Sequence, residues 1–101
     1  GFNVSPTEVE DALRGFEGVA DVAVVGLPHR RGGEDVVAAV VMEPGASFDE
    51  EAIRAFGRDC LTAYKVPKHV VQVDELPRSI VGKVIRRKVR DQLLAAKQEQ
   101  A

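Results

Sequence analysis

Residues Val36 to Met42, reading Val-Val-Ala-Ala-Val-Val-Met, constrain this chain more than any other segment. An unbroken apolar run rich in β-branched valine has no polar face to offer water, so a strand here is buried on both sides. Such a strand belongs at the centre of its sheet, with a layer of structure over each face. The run is far too short to cross a bilayer. In a chain of 101 residues it predicts one small domain with a single modest core.

The flanking segments supply the other elements. After Pro6, Thr7 to Leu13 begins an amphipathic helix with Ser5 or Thr7 as its cap, acidic groups in its first turn, and Val9, Leu13 and Phe16 on one stripe. It should end between Gly15 and Gly18. Val19 to Val25 reads as a strand closed by Gly26-Leu27-Pro28, followed by the polar loop 30–35. Pro44-Gly45 is a turn, and Ser47, three before Glu50, has the spacing of a capping box. The helix it opens should bury Ile53, Phe56, Cys60 and Leu61 and stop before Pro67. Residues 68–73 form a third strand. A last helix from about Ile85 to Ala96 packs through Ile85, Val89, Leu93 and Ala96, with Arg86, Arg87, Lys88 and Arg90 facing solvent. The order is αββαβ, a loop, then α. This is an α+β fold: a small sandwich with a central three-stranded sheet flanked by helices.

Charge is divided unevenly along the chain. Residues 1–50 carry ten acidic and three basic side chains, and residues 51–101 carry six and eleven, so the halves stand at −7 and +5. An anionic ligand is therefore expected at the second half. A single cysteine, Cys60, cannot make an internal disulfide, and no leader pattern opens the chain; a soluble protein of a reduced cytoplasmic compartment is expected. The opening Gly1-Phe2-Asn3-Val4 has no initiator methionine and reads as the middle of an element, as in a domain cut from a larger enzyme.

The chemistry concentrates at Leu76-Pro77-Arg78-Ser79-Ile80-Val81-Gly82-Lys83. A loop lysine beside glycine is a mobile point charge that can approach a phosphate or carboxylate closely. Taken alone, a Gly-Lys pair reads first as a solvated loop tip. Nor is this a P-loop: Pro77 stands five before Gly82 where a glycine is required, and Val84 follows Lys83 in place of Ser or Thr.

Four landmarks stand in order: Gly1-x-x-Val4-x-Pro6-x-Glu8-Val9-Glu10; Val25-Gly26-Leu27-Pro28 with Gly33-Glu34; Ala63-Tyr64-Lys65-Val66-Pro67; and Leu76-Pro77-x-x-x-x-Gly82-Lys83-Val84-x-Arg86-Arg87. Together they resemble the small C-terminal domain of the AMP-forming adenylating enzymes, the superfamily of acyl- and aryl-CoA ligases, peptide-synthetase adenylation domains and firefly luciferase. The resemblance covers nearly all of residues 1–97 and is closest in tenor to bacterial fatty-acyl-CoA ligases. It implies a two-step reaction in which a carboxylate attacks the α-phosphate of ATP, giving acyl-adenylate and pyrophosphate, and a thiol, usually of CoA, then displaces AMP. It also implies a large N-terminal domain that binds ATP with Mg2+ and the acyl group, and over which the small domain closes in two orientations.

Within that resemblance the catalytic lysine falls on Lys83, beside Gly82. Gly1 matches a glycine lining the pantetheine tunnel, and Asn3 stands where relatives place a polar residue near the adenylate. Glu34 and Lys65 are expected to hold loops, and His29 and His69 to sit on loop and strand surfaces. Arg30, Arg31, Arg86, Arg87 and Lys88 could meet CoA phosphates, solvent or the large domain. The acceptor thiol could equally be carrier-protein pantetheine. A reading from another class, a non-enzymatic module gripping nucleic acid or an acidic partner through residues 83–90, is motivated by the charge asymmetry. The overall acidity and the scarcity of aromatic residues weigh against it.

Overall fold

The computed structural model describes residues 4–29 and 31–100, the side chains of 97–100 excepted. Helices α1 (Pro6–Leu13), α2 (Glu50–Cys60) and α3 (Arg86–Gln100) surround strands β1 (Val19–Pro28), β2 (Glu34–Met42) and β3 (His69–Gln72). β2 lies between the other two, antiparallel to β1 and parallel to β3, with Val22 opposite Val40 and Ala38 opposite Val70. The doubly apolar run thus occupies the centre of the sheet.

Alternation along the strands builds two cores. Val22, Val24, Ala38, Val40 and Val70 face one way and pack with Val9 and Leu13 of α1 and Ile53 of α2. Ala23, Val25, Val37 and Ala39 face the other way, under Leu76 and Val89 of α3. The result is three layers, α1 and α2, the sheet, then α3. Leu13 and Ile53 are fully buried, and truncating either to alanine should cost about 2–5 kcal/mol.

The boundaries differ from expectation where backbone pairing outruns side-chain pattern. β1 continues three residues past Val25, with Gly26, Leu27 and Pro28 paired to Val36, Asp35 and Glu34. Pro28 is tolerated because β1 is an edge strand and Pro28 ends it. β3 is shorter than 68–73, although Lys68 and Val73 still donate backbone hydrogen bonds to Val36 and Val40 at 2.7 and 2.8 Å.

Ser5 caps α1, its Oγ accepting from Glu8 N at 3.3 Å. At α2 the capping-box expectation is corrected. Asp49 is the cap, accepting from Ala52 N at 3.0 Å, and Glu50 accepts from Val70 N at 2.9 Å, tying α2 to β3. Cys60 is also corrected: it is exposed at the last residue of α2, and Leu61, in extended backbone, packs on the core instead. Phe16 and Phe56 meet edge to face at 5.7 Å. α3 begins at Arg86, with the Ile85 carbonyl accepting from Lys88 and Val89, and Ala96 is exposed.

Candidate functional site

Lys83 sits on a small hairpin. Arg78 and Val84 form an antiparallel bridge, Ser79 N donates to Lys83 O at 2.8 Å, and Gly82 N donates to Ser79 O at 2.9 Å. A turn this tight needs one residue in the left-handed region, and Gly82 supplies it with φ +87. Nothing would lie within 4 Å of a Cβ at Gly82, so a side chain there meets backbone strain and no crowding. Ile80 stands fully open to solvent at the tip, and Val81 is largely exposed beside it.

Two arginines brace this hairpin on the domain. Arg78 pairs with Asp21 of β1 and donates through NH1 to Gly82 O at 2.6 Å. Arg86, three residues beyond Lys83, reaches Glu10 of α1 through Nε at 2.9 Å and NH2 at 2.6 Å. Glu10 is buried, and its Oε2 also accepts from Val24 N at 2.8 Å. The carboxylate therefore joins α1, β1 and the start of α3, and its hydrogen bond raises the Arg86 pKa above the ordinary guanidinium value.

Lys83 itself is exposed, and its Nζ makes no hydrogen bond or ion pair among the described residues. It borders a cleft of about 300 Å³ shared with Thr7, Glu10, Arg78 and Arg86. The two flanking cations are thus neutralised by Asp21 and Glu10, while the ammonium between them is left for an outside anion. Such a group attracts phosphate or carboxylate as a compact point charge.

Over residues 8–83 the sequence matches the AMP-binding enzyme C-terminal domain. The chain belongs to that family. It is 48% identical over 92 residues to a long-chain-fatty-acid-CoA ligase of Escherichia coli O6:H1, covering 91% of this chain and 16% of that protein. To the 4-chlorobenzoate-CoA ligase of Pseudomonas sp. strain CBS-3 it is 46% identical over 90 residues, covering 88% of this chain and 17% of that protein. The fatty acyl CoA synthetase of Mycobacterium tuberculosis superposes with a TM-score of 0.87 at 36% identity, over 95% of this chain and 19% of that one. The chain thus spans less than a fifth of the length of these relatives.

The AMP-binding enzyme C-terminal domain brings its separated landmarks together. Lys65 pairs with Glu8 at 2.9 and 3.1 Å, lies over the Tyr64 ring at 5.7 Å, and has its pKa raised chiefly by the Glu8 hydrogen bond. Glu34 folds over Gly26, where a Cβ would approach Oε1 to 2.7 Å, and lies 3.6 Å from Arg90. Arg90 Nε in turn donates to Gly26 O at 2.9 Å. His29 and His69 lie on a loop and a strand, His29 Nδ1 accepting from Arg31 N and His69 Nδ1 standing 3.9 Å from Glu50.

The expectation that Arg86 and Arg90 face solvent is corrected: both turn inward onto acceptors that the sequence does not pair with them. Of the segment 83–90, the exposed cations are Lys83, Arg87 and Lys88. Gly1, Asn3 and Arg30 lie outside the described residues. Sequence reasoning missed Glu10 and Asp21 as parts of the site. Glu10 did carry a signal, since it lies three before Leu13 on the side of α1 that the core covers.

Proposed function

We propose that this chain is the C-terminal domain of an AMP-forming acyl-CoA ligase and that Lys83 serves the adenylation half-reaction. The observation that carries this reading is the unpaired ammonium of Lys83 at the end of a hairpin whose other cations are already satisfied. In adenylation a carboxylate oxygen bonds to the α-phosphorus of ATP while the bond to pyrophosphate breaks and its electrons leave with the pyrophosphate. Two anions must be brought together as charge moves onto the departing oxygens. Lys83 offsets their repulsion and stabilises that charge. In the second step a thiol attacks the acyl carbonyl and AMP departs, and Lys83 has no part in it.

ATP, Mg2+ and the acid are held mainly by a large N-terminal domain, without which this domain has nothing to act on. Among the described residues no three His, Cys, Asp or Glu side chains converge to hold a metal ion. The acid is a fatty acid, a reading supported by the names of the Escherichia coli and Mycobacterium tuberculosis relatives. Near-equal identity to a 4-chlorobenzoate ligase supports placing acid selection in the large domain. CoA is the acceptor, Gly1 and Asn3 keep the roles that the family resemblance gives them toward the thiol arm and the adenylate, and the compartment is the cytoplasm. No helix among the described residues is long and apolar enough to cross a membrane.

The test is the half-reaction split in the full-length enzyme. Lys83→Ala should slow pyrophosphate release on the order of 10²–10³-fold and leave thioester formation from supplied acyl-adenylate intact. Equal loss in both steps, or in neither, would remove the assignment.

A further inference from the structure

Asp21 lies at an irregularity in the β1–β2 register, where pairing shifts between Val19 and Asp21. Its Oδ1 accepts from Val22 N at 2.9 Å, and its Oδ2 faces the Arg78 guanidinium. The same guanidinium donates through NH1 to Gly82 O at 2.6 Å, and that oxygen belongs to the peptide bond joining Gly82 to Lys83. A carboxylate on a rigid strand therefore fixes an arginine, and the arginine fixes the peptide plane from which Lys83 departs.

We propose that Asp21 is a positioning residue for adenylation, acting through Arg78 to set the direction in which Lys83 leaves the hairpin. This rests on the adenylation role assigned to Lys83 above. Asp21 and Arg78 side chains are 22% and 44% exposed, so the pair adds little to folding stability. Its consequence lies in geometry: displacing a reacting group by about 1 Å can cost on the order of 10²-fold in rate. Lysine's flexible four-carbon stem recovers part of such an error, so the loss on freeing Arg78 is smaller than on deleting Lys83.

The proposal is tested in the full-length enzyme with Asp21→Asn, which keeps an acceptor for Val22 N and removes the charge facing Arg78. Adenylate formation should fall about tenfold in kcat with KM for ATP unchanged. Thioester formation from supplied acyl-adenylate should stay at the parent rate. Arg78→Lys should reproduce the defect, and the double variant should be no slower than Arg78→Lys, because both act through one relay. Lys83→Ala is measured alongside. If it abolishes adenylation while Asp21→Asn and Arg78→Lys keep the parent rate, the positioning role is overturned and the lysine assignment stands. If the two variants slow both half-reactions alike, the pair is merely structural and the proposal fails. If Lys83→Ala itself adenylates normally, the lysine assignment falls and the relay has nothing to position.

Discussion

The guanidinium of Arg86 lies against the carboxylate of Glu10, with Nε and NH2 at 2.9 and 2.6 Å, across 76 residues of sequence. Because Glu10 is buried and also accepts from Val24 N, removing the arginine strands a carboxylate in the interior. Arg86→Met should cost about 2 kcal/mol, less than the 3–5 of a fully enclosed pair, since the Arg86 side chain is 41% exposed. Urea unfolding of the domain measures it. A change below about 0.5 kcal/mol, the size of an ordinary surface substitution, would show that water replaces the arginine without penalty.

Gly82 tests the hairpin by itself. Its φ of +87 makes Gly82→Ala destabilising by about 1 kcal/mol, whereas Gly82→Asn should cost less because asparagine tolerates this region. Thermal unfolding of both variants gives the order. If alanine were the milder of the two, the backbone there would not be left-handed in solution.

Gly26 and Glu34 should be energetically coupled. A methyl at Gly26 meets the Glu34 carboxylate at 2.7 Å, and because that carboxylate ends a flexible, exposed side chain, Gly26→Ala should destabilise by less than about 0.5 kcal/mol in the parent and not at all in a Glu34→Ala background. Additive costs in the double-mutant cycle would mean that the carboxylate swings clear at no expense.

Cys60, exposed at the end of α2, should react with a thiol reagent in the native protein at a rate near that of a free thiol. Cys60→Ser should shift stability by less than about 0.5 kcal/mol. Labelling only after denaturant is added would return the cysteine to the core.

Stability against acid should carry a small contribution from Glu51. The Arg58 hydrogen bond, then its charge, holds the Glu51 carboxyl below its ordinary value of 4.5. The folded form therefore binds its proton less readily than the unfolded chain, and the contribution is present above pH 4.5 and lost as pH falls through the lowered value. Both side chains are well exposed, so the effect is slight and disappears in high salt. Glu51→Gln should flatten the stability profile below pH 4.5 at low ionic strength; an unchanged slope would mean that the pair is open in solution.

What the sequence makes legible is what a short window contains. The Val36 to Met42 run places β2 because seven adjacent side chains settle both faces of one strand, and Gly82-Lys83 stands out as a loop because glycine and lysine are neighbours. Glu10 and Asp21 stayed hidden because each acts through an arginine dozens of residues away. The position of Glu10 on the core-covered side of α1 hints at burial but not at its partner, and an acidic residue at a strand start, as Asp21 is, looks the same whether water or a guanidinium faces it. Ser47 has the spacing of a capping box, yet the turn leading into α2 makes Asp49 the cap. The end of β1 is illegible for the converse reason, since pairing to β2 is a backbone property that Gly26 and Pro28 do not advertise.

The braces of the lysine hairpin also order events in time. Arg78 reaches back 57 residues to Asp21, and Arg86 reaches back 76 to Glu10, whereas β1 and β2 are joined by a five-residue loop. Closing the short loop costs little entropy and comes early; contacts of long separation come late. On a ribosome, the α1 and β1 segments emerge well before either arginine has been made. Lys83 therefore takes its final setting only when the start and the end of the domain have met, so a locally unfolded copy presents a lysine on a slack loop.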